Sequence, residues 1–151
     1  MGVIARSAVL GLAAGGRSSV ALAVPVHAAT RGHDGPAARV LRGLATLAVL
    51  GECVVDKLPA TPSRLVPPQI AGRLVAGATG AAALAVVDGR RFPAVVVAAL
   101  AGGAGAFAGS VAGASWRQWA ADDGPDALRP DVRAALVEDV VVLTTARALA
   151  H

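Results

Sequence analysis

The stretch AVVVAALAGGAGAFAGSVAGAS, residues 94–115, has no charged side chain. A helix needs about 20 predominantly apolar residues to cross the hydrocarbon core of a bilayer, which is roughly 30 Å thick. Within the stretch, small residues recur at every fourth position, at Ala101, Gly105, Gly109 and Gly113. On a helix these positions form one smooth stripe, the pattern with which membrane helices pack closely. We therefore predict a spanning helix whose glycines contact another helix, either within one subunit or between subunits.

The rest of the chain has a similar composition. Of its 151 residues, 55% are hydrophobic and 16% are charged, 18 are glycine and none is tyrosine, and the mean hydropathy is +0.61. A water-soluble core normally uses large aromatic side chains, whereas here Ala, Val, Leu and Gly supply the apolar bulk. We predict a single membrane-embedded domain, residues 1–151, that folds as an all-α, polytopic helix bundle.

The net charge of +4 comes from basic residues scattered between apolar runs. This pattern is typical of arginines in loops at a membrane surface and, without an aromatic platform, it argues against nucleic-acid binding. Cys53 is the one cysteine, and His27, His33 and His151 lack the spacing of metal ligands. We therefore expect no metal site and no cofactor, and no enzymatic activity, because no nucleophile–base pair is visible.

Five apolar segments divide the chain, and we expect four or five of them to cross the membrane. The first is broken by GGRSS, residues 15–19, and contains Pro25, so we expect one membrane helix that is loosened and kinked in its middle. The alternative for this segment is a signal peptide cleaved near Ala28. Four prolines in residues 58–68 exclude a regular helix and predict an external or re-entrant connection. The segments are residues 3–29, 40–55, 70–87, 94–115 and 134–150.

The basic residues do not orient this arrangement. If the segments alternate in direction, six basic residues lie on each side, and the positive-inside rule does not choose between the two orientations. One side would carry Arg6, Lys57, Arg64, Arg117, Arg129 and Arg133, and the other Arg31, Arg39, Arg42, Arg90, Arg91 and Arg147.

Two acidic residues at the end of the second segment carry the clearest functional signal. Glu52 and Asp56 are four residues apart, so on a helix they share one face. Two carboxylates this close in a low dielectric must share a proton, bind a cation or meet an arginine, and charged residues in spanning segments usually mark a functional pathway. The alternative is that Asp56 and Lys57 merely end the helix at the lipid headgroups, with Lys57 complementing the helix C-terminus.

Four further charged residues are candidates for the same site. Arg17 lies in the middle of the first segment and Arg73 near the start of the third, so either could neutralise the first acidic pair. Glu138 and Asp139 form a second acidic pair near the start of the last segment, where complementing the helix dipole is the alternative role. We predict that these residues form an ion- or solute-binding site with Glu52 and Asp56.

The spacing E-x-x-x-D-K-x-P-x-x-P-S-R, from Glu52 to Arg64, resembles a known family. Together with GRS at residues 16–18, Arg73 in the third segment and ED at residues 138–139, it makes the chain similar, over nearly its whole length, to a bacterial membrane family defined as domain of unknown function 4126 (DUF4126). Family members often carry a proline soon after the Arg-Ser pair, whereas here the nearest is Pro25. The resemblance implies an integral membrane protein and no established activity. We include Lys57 and Arg64, which lie in this motif, among the candidate binding residues.

These observations predict a multi-pass protein of the cell (inner) membrane that acts as a permease or channel for a small solute or ion. Small transporters build binding sites at the membrane midplane from discontinuous helices and buried charge. A chain of this length leaves little room for two gates, so we expect a homo-oligomer, most simply a dimer. The competing prediction is a non-transporting scaffold, whose buried charges fix the packing of its helices and whose partner is another membrane protein.

Overall fold

The computed structural model describes residues 1–56, 66–128 and 131–150. These residues form six α-helices and no β-strand, which confirms the all-α prediction for the described part of the chain. Lys57, Arg64 and most of the proline-rich connection lie outside the described residues. The helices are α1 (Val3–Gly16), α2 (Ser18–Ala29), α3 (Pro36–Val55), α4 (Pro67–Val87), α5 (Phe92–Asp122) and α6 (Asp131–Ala150).

Two helices, α4 and α5, are long and apolar enough to cross a membrane by length and composition. They correspond to the third and fourth predicted segments. α5 continues beyond the predicted end at Ser115, through both tryptophans, to Asp122. α3 starts earlier than the predicted segment because Pro36 stands at a helix start, where its fixed φ and missing N–H are tolerated.

The first segment is broken at Arg17. α1 ends at Gly16 and α2 begins at Ser18, with Arg17 between them in an extended conformation (φ −142°, ψ 107°). Gly15 and Gly16 favour the break, because glycine is the weakest helix former after proline. Pro25, in contrast, lies inside α2.

The chain reverses its direction at this break. Near the start of α1, Arg6 donates a hydrogen bond from Nη2 to the carbonyl oxygen of Leu149, at 2.7 Å. Just beyond α2, Arg31 donates to the carbonyl oxygen of Ala150. Both outer ends of the first segment therefore lie at the C-terminal end of α6. α1 and α2 form a helical hairpin, and the prediction of one kinked helix was wrong in this respect, because a break in a helical pattern does not show where the chain goes next.

Small residues bring α1 and α5 into close contact. A Cβ atom added at Gly105 would collide with the carbonyl oxygen of Ala8, and one added at Gly109 would collide with that of Leu12. Two glycines of the predicted stripe thus face a helix of the same subunit, while Gly113 is half-buried. Such close approach increases van der Waals contact, which matters most where lipid removes the hydrophobic drive between helices.

We expect Gly105→Ala to destabilise the protein and Gly43→Ala to leave it unchanged or slightly more stable. The methyl group at position 105 would collide with the backbone of α1, and overpacking of this kind costs about 1–3 kcal/mol. Gly43, in α3, has nothing within 4 Å of its Cβ position, and alanine is favoured over glycine in a helix by roughly 0.5–1 kcal/mol. Thermal unfolding in detergent measures both variants, and equal melting temperatures would contradict the α1–α5 contact.

Many large apolar side chains lie on the outside of the bundle, while a few charged side chains are buried within its largely apolar interior. Among the described residues, Arg17 is the largest fully buried side chain, whereas Leu47 and Leu100 are 65% and 70% exposed. Large apolar side chains are exposed on each of the six helices. Soluble monomers rarely expose large contiguous apolar patches, so this outer surface is suited to contact with lipid.

Candidate charged site at the helix break

Arg17 stands at the tip of the α1–α2 hairpin, inside the helix bundle. Arg73, which bonds the end of α1, lies six residues into α4, and Asp139, which pairs with Arg17, lies eight residues into α6. At a rise of 1.5 Å per residue, these positions are about 9 Å and about 12 Å from the starts of their helices. The Arg17 side chain is 0% exposed, so its charge must be compensated by the protein.

Two carboxylates from different helices pair with Arg17. Its Nη1 lies 2.7 Å from Oδ2 of Asp56, the residue that ends α3. Its Nη2 lies 2.5 Å from Oδ1 of Asp139 in α6. Nη1 also donates a 3.2 Å hydrogen bond to the carbonyl oxygen of Gly16. One guanidinium group therefore joins the hairpin tip to α3 and to α6.

Arg117, in α5, is a second cation in this cluster. Its Nη2 lies 2.6 Å from Oδ2 of Asp56, its Nε lies 3.4 Å from Oε2 of Glu138, and its Nη1 lies 3.5 Å from Oδ2 of the more exposed Asp131. The prediction that Arg117 lies with the loop residues at one side of the membrane is wrong, because α5 continues through Arg117 to Asp122. A signal was present, because Arg117 follows Gly113 by four residues and so continues the small-residue stripe on the same face of the helix.

The Glu52 side chain caps the N-terminus of α2. Its Oε1 accepts a 2.9 Å hydrogen bond from the backbone N–H of Ser18, and its Oε2 accepts bonds from the N–H and the hydroxyl of Ser19, at 2.7 Å and 2.5 Å. The N-terminus of a helix carries partial positive charge and free N–H groups, so it is a natural site for an anion. The carboxylate of Glu52 occupies that site on α2.

The Arg73 side chain caps the C-terminus of α1, where a positive charge takes the place of the negative one at α2. Its Nη1 donates hydrogen bonds to the carbonyl oxygens of Gly15 and Gly16, at 2.6 Å and 2.8 Å. Its Nη2 lies 3.9 Å from Oε1 of Glu52. A cation is favourable at a helix C-terminus for the same electrostatic reason that an anion is favourable at an N-terminus. Both helix ends at the break are thus bonded by charged side chains from other helices.

The structure places six of the eight predicted site residues in one cluster. Glu52 lies near the end of α3, where it bonds the start of α2 and lies near Arg73, whereas Asp56 pairs with Arg17 and Arg117. Asp56 ends α3, as the alternative role predicted, and it also pairs with two arginines inside the bundle. Lys57 and Arg64 lie outside the described residues. The six are Arg17, Glu52, Asp56, Arg73, Glu138 and Asp139.

This arrangement is a network of ion pairs that holds the hairpin tip to the surrounding helices. The described cluster combines three guanidinium groups with carboxylates from α3 and α6. Ion pairs that are removed from water interact strongly, but their stability depends on every partner keeping its charge. A proton or cation that reaches a carboxylate here therefore changes how the hairpin tip is held.

No protein-family model, curated protein or solved structure matches the chain. The similarity to the DUF4126 family stays a prediction that rests on the motif between Glu52 and Arg64. The function is therefore inferred from the geometry of the site and from the surface of the bundle.

Proposed function

We propose that this is a multi-pass inner-membrane protein in which α3 to α6 cross the bilayer and the α1–α2 hairpin enters it from one side. α4 and α5 have the length and composition of spans. α3 and α6 have 20 residues each, which is the length that crosses a hydrocarbon core of about 30 Å. α1 and α2 have 14 and 12 residues, so each is too short to cross, which supports a re-entrant hairpin.

The C-terminal end of α6 marks the basic end of the bundle, and in this proposal the basic end faces the cytoplasm. The hairpin brings the start of the chain to this end, so seven arginines lie there. The opposite end has two described basic residues, Arg117 and Arg133. If the three basic residues outside the described ranges are all counted with them, the basic end has seven basic residues and the opposite end has five. Those three are Lys57, Arg64 and Arg129. The positive-inside rule then favours one orientation. The seven arginines of the basic end are Arg6, Arg31, Arg39, Arg42, Arg90, Arg91 and Arg147.

In this membrane the charged site serves as the binding site of a permease for a small ion or solute. The observation that carries this proposal is the meeting of two helix ends, those of α1 and α2, at the fully buried Arg17, which pairs with carboxylates from α3 and α6. Helix termini that end inside the bilayer supply partial charges and backbone groups for ions, and small transporters build their sites in this way.

Competition for the carboxylates supplies a mechanism. A proton or cation that binds Asp56 or Asp139 competes with Arg17 for the same oxygens. Neutralising either carboxylate weakens the attachment of the hairpin tip to α3 or to α6. The tip can then move relative to the helices that it joins, which couples occupancy of the site to opening of a path.

We expect Asp139→Asn and Glu52→Gln to reduce ion-driven flux into liposomes by about tenfold or more, the effect of losing about 1.4 kcal/mol of stabilisation at the site. Asp139→Asn can no longer be charged and neutralised in turn, so movement of the tip is uncoupled from the driving ion, and Glu52→Gln weakens the bonds that hold the start of α2 at the site. Each substitution keeps the size of the side chain and removes its negative charge. The matched control is Asp122→Asn, which changes an exposed carboxylate at the end of α5 and should keep wild-type flux. A panel of monovalent cations and a proton gradient identifies the driving ion. Wild-type flux in both site variants, with wild-type melting temperatures, would contradict the proposal.

A non-transporting scaffold is the second candidate, and one observation favours it. Arg17, Arg73 and Arg117 each already contact a carboxylate of the same chain. A network of this kind can fix the register of helices without binding anything else. In that case the wild-type protein shows no flux for any ion in the panel, while the same site variants still lower the melting temperature.

The homodimer also stays a prediction. Gly105 and Gly109 contact α1 of their own subunit, so a dimer has to use other surfaces. The molar mass of the detergent-solubilised protein, measured by light scattering and corrected for bound detergent, decides between one subunit and two.

A further inference from the structure

A cavity of about 510 Å³ lies between α2, α3 and α6, toward the basic end and apart from the charged site. α3 packs on α2, which leaves a cleft between α3 and α6 with α2 as its floor. Val20 and Val24 form the floor, Val49 and Leu50 line the α3 side, and Leu143 lines the α6 side. The volume lies within the usual range for small-molecule sites, about 300–1,000 Å³.

The same cavity is lined by three arginines, Arg31, Arg42 and Arg147, and by one acidic residue, Asp34. Three positive charges and one negative charge leave a net charge of +2. Arg31 and Arg42 donate hydrogen bonds to backbone carbonyl groups. Within the described ranges, none of the three arginines forms an ion pair with a carboxylate, whereas the arginines of the charged site all do. The cavity therefore has apolar walls and, at one end, positive charge from guanidinium groups that the described residues do not fully neutralise.

We propose that this cavity binds one anionic phospholipid from the surrounding bilayer. The phosphate lies at Arg31, Arg42 and Arg147, and one acyl chain lies along the apolar side chains of α2, α3 and α6. Guanidinium groups bind phosphate through charge-assisted hydrogen bonds, and basic pockets between membrane helices at the cytoplasmic side are suited to anionic headgroups. A free inorganic anion would leave the apolar walls unused. The inference rests on the proposed membrane location and is independent of transport.

Thermal unfolding of the full-length protein in detergent tests the proposal. A ligand that binds only the folded state raises its stability. We expect phosphatidylglycerol to raise the melting temperature and phosphatidylcholine of the same chain length to leave it unchanged, because only the former has net negative charge. Inorganic phosphate alone should also have no effect. The double variant Arg42→Gln/Arg147→Gln should bind phosphatidylglycerol about 25-fold more weakly, roughly fivefold for each arginine.

Two further variants separate specific binding from general charge attraction. Arg90→Gln/Arg91→Gln removes the same charge from the same end of the bundle, but neither residue lines the cavity, so binding should be retained. Ala146→Phe fills the cavity without changing charge, so binding should be lost. Two ligand results would overturn the proposal: a rise in melting temperature with phosphatidylcholine equal to that with phosphatidylglycerol, or the full rise with inorganic phosphate alone. Two variant results would also overturn it: unchanged binding of phosphatidylglycerol by the Arg42/Arg147 variant, or an equal loss of binding in the Arg90/Arg91 variant. The readout is binding, so a negative result here leaves the flux experiment unaffected.

Discussion

Replacing Arg17 with methionine is expected to lower the free energy of unfolding by about 3–5 kcal/mol, which is the effect of removing one partner from a buried ion pair. Methionine keeps an unbranched chain but has no charge. Asp139, which is 8% exposed, would lose its 2.5 Å contact with Arg17. Asp56, which is 7% exposed, would lose its 2.7 Å contact with Arg17 and keep its contact with Arg117. Many proteins have a total stability of only 5–15 kcal/mol. The variant should therefore unfold at a much lower temperature or denaturant concentration in detergent.

The matched control for this prediction is Arg6→Met, which removes another arginine, near the start of α1, from an ion pair. Arg6 pairs with Asp88 where the two side chains are 23% and 24% exposed, and exposed pairs contribute less than about 1 kcal/mol. The double variant Arg17→Met/Asp139→Asn should recover part of the lost stability, because it removes one of the carboxylate charges left without Arg17. If Arg17→Met is as stable as Arg6→Met, the buried cluster does not hold the hairpin.

The second large effect is an all-or-none labelling pattern that follows from the hairpin. Single cysteines at Gly2, Asp34 and Arg90, introduced into a Cys53→Ala background, should all react with an impermeant maleimide from the cytoplasmic side. Gly2 and Asp34 flank the hairpin, and Arg90 lies in the turn between α4 and α5. Asp123→Cys, beyond the end of α5, should react from the opposite side. Labelling is compared in intact spheroplasts and in inverted membrane vesicles.

Two results of that experiment have distinct meanings. Labelling of Gly2→Cys and Asp34→Cys from opposite sides would show that the first segment crosses the membrane once, which contradicts the hairpin. If each of the four cysteines reacts from the side opposite to the expected one, the hairpin is supported, but the orientation predicted from the arginines is wrong. A variant with Cys53→Ala alone reports the background.

Much of the helical structure could be predicted from the sequence because its causes are local. The uncharged run of residues 94–115 and the apolar run before Asp88 predicted two helices that have the length and composition of spans. Gly15 and Gly16 predicted the break before Ser18, since adjacent glycines weaken a helix. Glu52 and Asp56 were recognised as candidate site residues because charge is costly in an apolar segment wherever that segment folds.

Only the tertiary structure decided how these parts meet. The reversal at Arg17, the bonding of the α2 start by Glu52 and the entry of Arg117 into the cluster all depend on contacts between residues that are distant in the chain. Hydrophobicity states which side chains avoid water, and spacing states which of them share a face, but neither states which helix lies opposite. The sequence alone determined a helical, lipid-compatible chain with a few charges that require partners. The packing of the six described helices determined which partners these charges have. The reason is that the energy of an ion pair depends on the distance between its charges in space and not on their separation along the chain.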